Sequence, residues 1–122
     1  MRIVQIHNLT HSLPVPISAI YCESFWSRFR GLMLHAPLSE HEGALLVETS
    51  DSRMDSAIHM FFMNFDITAV WINAQHEVVD VKLARKWRPA YIPQKPARYI
   101  LETHSNQFQQ FHIGDRIEFK HV

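Results

Sequence analysis

Ser56-Ala-Ile-His-Met-Phe-Phe-Met-Asn-Phe-Asp-Ile-Thr-Ala-Val-Trp-Ile-Asn73 is almost wholly apolar, with one imidazole, His59, in its middle. It reads as two strands, 57–63 and 67–72, each apolar on both faces. Such strands belong inside a sheet that is covered on both sides. A buried imidazole needs a hydrogen-bond partner, a metal or a ligand, so His59 is where the chain first hints at chemistry.

Working outward, the polar loop Asp51–Ser56 precedes this run, and residues 43–48 before it read as another central strand. Downstream, Asn73–His76 is a turn. Val79, Val81 and Leu83 then point one way while Asp80 and Lys82 point the other, the period of a half-buried strand. Residues 97–103 and 117–120 continue the series, and residues 2–7 and 16–22 begin it. Ser24 caps a short helix over 24–31, and Gly31 stops it. Residues 106–111 form a helical turn. About eight short strands and one helix predict a mainly β domain, either a jelly-roll-like sandwich or a partly open barrel. With a single helix, parallel βαβ units are not expected.

One domain, 1–122, accounts for the whole length. Hydrophobic residues make up 47% and charged residues 20%, an ordinary globular balance. Twelve basic and twelve acidic residues cancel, so no global field recruits nucleic acid. Cys22 is the only cysteine, which excludes an intrachain disulfide and favours a reducing compartment. The first residues are too polar for a signal-peptide core, and no apolar run reaches bilayer length. These features predict a cytoplasmic protein without membrane attachment.

Five segments occur in an order that resembles the DUF192 family. They are Arg28-Phe29-Arg30-Gly31-Leu32-Met33, Gly43-Ala44-Leu45-Leu46, Ser56 to Met63, Tyr99-Ile100-Leu101-Glu102 and Gly114-Asp115. The resemblance spans nearly the whole chain. It implies a compact β-rich domain related to jelly-roll sandwiches and brings no established activity. The chain departs from the family pattern in having Asp66-Ile67-Thr68 where an acid usually follows two positions later. No role is carried over to that acid. The turn Asn73-Ala74-Gln75-His76 also lacks the glycine that similar members often carry.

A second constellation lies between Asp80 and Glu102, where no acidic residue occurs. Lys82, Arg85, Lys86, Arg88, Lys95 and Arg98 are interleaved there with Trp87, Tyr91 and Tyr99. Cations beside rings suit an anion with a planar part. The plainer alternative is a solvated loop paired with the acidic stretch 40–55. The other histidines are scattered, and His7 and His11 flank a turn rather than share an element face. No cofactor and no metal site are expected. Cys22 reads as an inert buried thiol, and no nucleophile elbow or phosphate loop is present.

The leading expectation is a non-catalytic binding module for a small or anionic ligand, with His59, Asp51, Arg53, Trp87, Arg88 and Tyr91 at the site. The first alternative is a hydrolase-like enzyme using His59 with Asp51 or Asp66. The second is an interface or accessory protein, for instance an edge-paired homodimer. Nucleic acid is the least favoured partner.

Overall fold

The computed structural model describes residues 2–23, 38–58, 60, 63–88 and 90–122. The expected helix at 24–31 and the imidazole of His59 lie outside these residues.

Among the described residues seven strands form: β1 (Ile3–Asn8), β2 (Ile17–Cys22), β3 (Glu42–Ser52), β4 (Ile67–Ile72), β5 (Val78–Ala84), β6 (Ala97–His104) and β7 (Ile117–His121). A 3-10 helix, Ser105–Gln110, follows β6, where the sequence predicts a helical turn. All seven strands belong to one sheet in the order β5-β4-β6-β3-β2-β1-β7. Of the two expected arrangements, these strands follow the partly open barrel and not two stacked sheets. β2 and β3 pair in parallel, a pairing that strand alternation alone does not reveal. The connection of residues 23–41 is long enough to bring β3 back in the same direction.

The sheet curls because its inner face is lined from every strand. Val4, Ile6, Ile17, Ala19, Leu45, Val70, Ile72, Val78, Leu101 and Ile117 form one buried cluster. The two edge strands meet at one end only. Gly114 N–H donates to Val78 O, Val78 N–H to Asp115 O and Ile117 N–H to His76 O, beside an isolated bridge between Glu77 and Arg116. Elsewhere the seam between β5 and β7 stays open.

A second cluster fills the outer face, with Ala44, Leu46, Ile67, Ala69, Trp71 and Ile100 from the strands. Ile58, Met60, Met63, Phe65 and Tyr91 cover it. β4 is therefore buried along its whole length, as its apolar sequence, interrupted only by Thr68, requires. The segment 57–63 is not an eighth strand in its described residues. Ile58 makes a single bridge to Tyr91, and Met63 N–H closes a turn onto Met60 O. Ile58, Met60 and Met63 are buried against the sheet rather than joined in a ladder.

Two local features depart from simple alternation. Trp71 pairs with Asp80 but Ile72 pairs with Val78, so Val79 is an extra residue in β5. The bulge turns Val79 to the outer face, opposite Val81. Asp80 is then buried rather than solvated. At Gly43 the strands β3 and β6 approach so closely that a Cβ would stand 2.5 Å from Glu102 O. The β4–β5 turn uses no glycine: His76 adopts φ 66° instead.

Candidate functional site

Two loops lie side by side over the outer face. The first runs from Arg53 to Met63 and the second from Arg85 to Gln94. Ile58 and Tyr91 exchange both backbone hydrogen bonds, at 3.0 and 2.8 Å. Met60 N–H donates to Arg88 O at 3.0 Å, and Trp87 N–H donates to Met60 O at 2.8 Å. Ile58 and Met60 flank residue 59, so its chain neighbours on both sides are bonded to the cationic loop. Arg53 Nε adds a further link by donating to Pro93 O at 3.0 Å.

Each loop is also tied to the sheet. Trp71 is fully buried, and its Nε1–H donates to Ser56 O at 2.7 Å. The buried Asp80 accepts from the backbone N–H of Gln94 at 3.0 Å and lies 3.3 Å from Lys82 Nζ. Asp66 accepts from the backbone N–H of Lys86 at 2.8 Å, and Arg85 Nη1 lies 3.4 Å away. Tyr91 Oη accepts from the backbone N–H of Arg85 at 2.9 Å. Together these bonds fix the turn 85–88.

That turn presents Trp87 in an uncommon way. Its backbone sits at φ 64°, in the left-handed region, and the residue is 51% exposed. For an L-residue this conformation costs of order 1–2 kcal/mol. Lys86 and Arg88 on either side are exposed, and their side chains make no ion pair among the described residues. The expected pairing with the acidic stretch 40–55 is therefore not formed by these two residues.

Asp51 is placed differently. Its Oδ1 accepts from the backbone N–H of Ala74 at 2.9 Å and holds the β4–β5 turn. Both carboxylates of the hydrolase alternative, Asp51 and Asp66, thus serve to position backbone. Cys22 is buried as expected: desolvation pushes its thiol up to about 11, and Glu102 adds to this. A separate open cleft of about 440 Å³ lies against the 3-10 helix, lined by Glu40, Leu83, Ser105, Asn106, Phe108 and Gln109. It contains none of the residues singled out from the sequence.

Residues 4–119 match the profile of DUF192, described only as an uncharacterized ACR. The chain belongs to the DUF192 family. Among its relatives, the UPF0127 protein PF1050 of Pyrococcus furiosus is 31% identical over 117 residues, covering 94% of this chain and 97% of that protein. A UPF0127 protein of Thermococcus gammatolerans is 41% identical over 80 residues, covering 66% of this chain. The chain spans about half the length of that relative, 50%. A crystal structure from Sinorhizobium meliloti 1021, named only provisionally as a transcription regulator, superposes with a TM-score of 0.81 at 15% identity. It covers 97% of this chain and 92% of its own. A protein of unknown function from Novosphingobium aromaticivorans DSM 12444 gives a TM-score of 0.75 at 13% identity, covering 95% and 83%. Likeness at such low identity speaks for the DUF192 fold alone. No described helix is long and apolar enough to cross a membrane.

One cluster escaped the sequence reading. His11, His112 and Asp115 come together at the end of the sheet where β1 pairs with β7. Gly114-Asp115 reads from sequence as a simple turn. In the fold, the Asp115 side chain is only 2% exposed. Burial would raise its pKa, but hydrogen bonds from Asn8, the His112 N–H and His11 outweigh this and hold it below the ordinary carboxylate value. His11 and Asp115 are far apart in sequence. Only a correct pairing of the first and last strands could have revealed them together.

Proposed function

We propose that this DUF192 chain is a non-catalytic binding module that takes a small anionic ligand with a planar or apolar body at the turn 85–88. The observation that carries this reading is Trp87, half-exposed and held at φ 64° between two exposed cations. Unfavourable backbone geometry at a well-anchored turn is a recurring mark of a working site. The indole offers a face for stacking, while Lys86 and Arg88 supply charge-assisted donors. Arg53 and Tyr91, contributed by the two zipped loops, complete the proposed contact surface. Asp51 has a structural part in this reading, because its carboxylate faces the Ala74 N–H.

Catalysis gains no comparable support. The two carboxylates of the hydrolase alternative, Asp51 and Asp66, are already engaged by backbone N–H donors.

Fluorescence titration with inorganic phosphate, benzoate and adenosine monophosphate tests the reading. Benzoate and the nucleotide should quench indole emission saturably, and added salt should weaken the effect. Trp87→Ala should abolish it. Removing both Lys86 and Arg88 should weaken binding about tenfold or more, since each charge-assisted bond contributes roughly 1.5–3 kcal/mol. Quenching that survives Trp87→Ala, or no response to any of the three anions, overturns the proposal.

A further inference from the structure

We infer that His11, His112 and Asp115 form a binding site for a divalent transition-metal ion of the zinc class. The site is independent of the anion surface and lies on different turns. Its frame is built from an early and a late turn of the chain, brought together where β1 pairs with β7. Asn8, the last residue of β1, uses its Oδ1 to accept from the backbone N–H groups of Thr10 and His11, both at 3.0 Å. Its Nδ2 donates to Gln110 O at 3.1 Å and to Asp115 Oδ2 at 2.7 Å. Asp115 Oδ2 also accepts from the His112 N–H at 2.9 Å, and Asp115 N–H donates back to His112 O at 3.0 Å. Gly114 supplies the φ of 96° that this turn needs. One side chain therefore orders both histidine-bearing turns.

The ligand atoms already stand close to coordinating positions. One nitrogen from each imidazole and one carboxylate oxygen all lie within 4.8 Å of one another. His11 Nδ1 is 2.8 Å from Asp115 Oδ1, and His112 Nδ1 is 3.6 Å from Oδ2. Tetrahedral bonds of about 2.0–2.2 Å place neighbouring ligand atoms roughly 3.3 Å apart, between those two separations. The ring centroids are 4.7 Å apart. Both rings are exposed, so small rotations of their side chains complete the set without moving the backbone. An ion seated there replaces the hydrogen bond between His11 and the carboxylate.

The donor types narrow the ion. Two imidazoles with one carboxylate suit zinc, cobalt, nickel or copper and not calcium or magnesium, which prefer all-oxygen shells. Asn8 and the His112 N–H orient the carboxylate from behind, as supporting partners do at established metal sites. Among the described residues three protein ligands converge, which leaves a coordination position for water.

Calorimetric titration of chelator-treated, untagged protein with Zn²⁺ tests the site, with Co²⁺ absorption as an independent readout. One equivalent should bind per chain, and Co²⁺ should give the visible bands of a low-coordinate nitrogen–oxygen site. His11→Ala and His112→Ala should each weaken Zn²⁺ about tenfold or more. Asp115→Asn, which keeps an acceptor for Asn8 and the His112 N–H, should do the same while retaining the fold. His121→Ala, at a histidine outside the cluster, should change nothing. Absence of a one-to-one site, or affinity unaltered in the His11→Ala/His112→Ala double variant, overturns the inference. Neither result bears on the anion surface, which is read by indole emission.

Discussion

The turn at 85–88 and the paired turns at 8–11 and 112–115 are built on the same device with opposite outcomes. In each, a carboxylate captures backbone N–H groups and fixes the loop. Asp66 is 32% exposed and spends itself on the Lys86 N–H and the Arg85 guanidinium. Its turn then displays an indole and two cations outward. Asp115 is nearly inaccessible, and its carboxylate stays between two imidazoles. The first arrangement leaves net positive character at the surface and suits an anion. The second concentrates lone pairs and suits a cation. Where the anchoring acid sits relative to the displayed rings decides the sign of the ligand.

The sharpest way to break this comparison is to delete each acid. Asp115→Ala strands the Asn8 amide and the His112 N–H in a buried setting, and should cost about 2–4 kcal/mol. Asp66→Ala, partly solvated, should cost about 1 kcal/mol. Urea unfolding of both variants gives the two values, and equal losses would erase the distinction. A smaller effect is expected at the indole. Trp87→Gly relieves the left-handed conformation, so stability should hold or rise by up to about 1 kcal/mol while anion binding disappears. A loss of stability much larger than that would make Trp87 a packing residue rather than a displayed one.

The smallest effect concerns a residue on neither surface. The Cys22 thiol is raised from its ordinary 9.0 to about 11 by burial, with Glu102 adding to the shift. A raised folded pKa means that its contribution to stability is complete below pH 9 and fades between pH 9 and about 11. Iodoacetamide should therefore leave the native thiol untouched at pH 8, and Cys22→Ala should flatten part of the alkaline decline in denaturant midpoint. Rapid native labelling would show the thiol to be accessible after all.

The strands were legible because burial leaves a direct trace in sequence. β4 is apolar at every position but Thr68 since the sheet is covered on both faces there, and β7 alternates because one side meets water. The same logic misled at Ile58, Met60 and Met63, which cover the outer face without joining the ladder. It misled again at Val79, which the bulge turns to the outer face away from Val81, and at Asp80, which is buried where the Gln94 N–H and amide meet its carboxylate. Trp87 was recognisable from its cationic neighbours, but its φ depends on the Met60 carbonyl of another loop. The His11–His112–Asp115 cluster left no local trace, because it depends on the register of β1 with β7.

That register has a consequence for biosynthesis. β1 takes partners on both sides, β2 early in the chain and β7 near residue 120. During translation its outer flank stays bare until residues 117–121 have emerged from the ribosome. For that interval the nascent domain offers a ready template to any stray extended segment, so demand for holding chaperones should fall abruptly once β7 arrives.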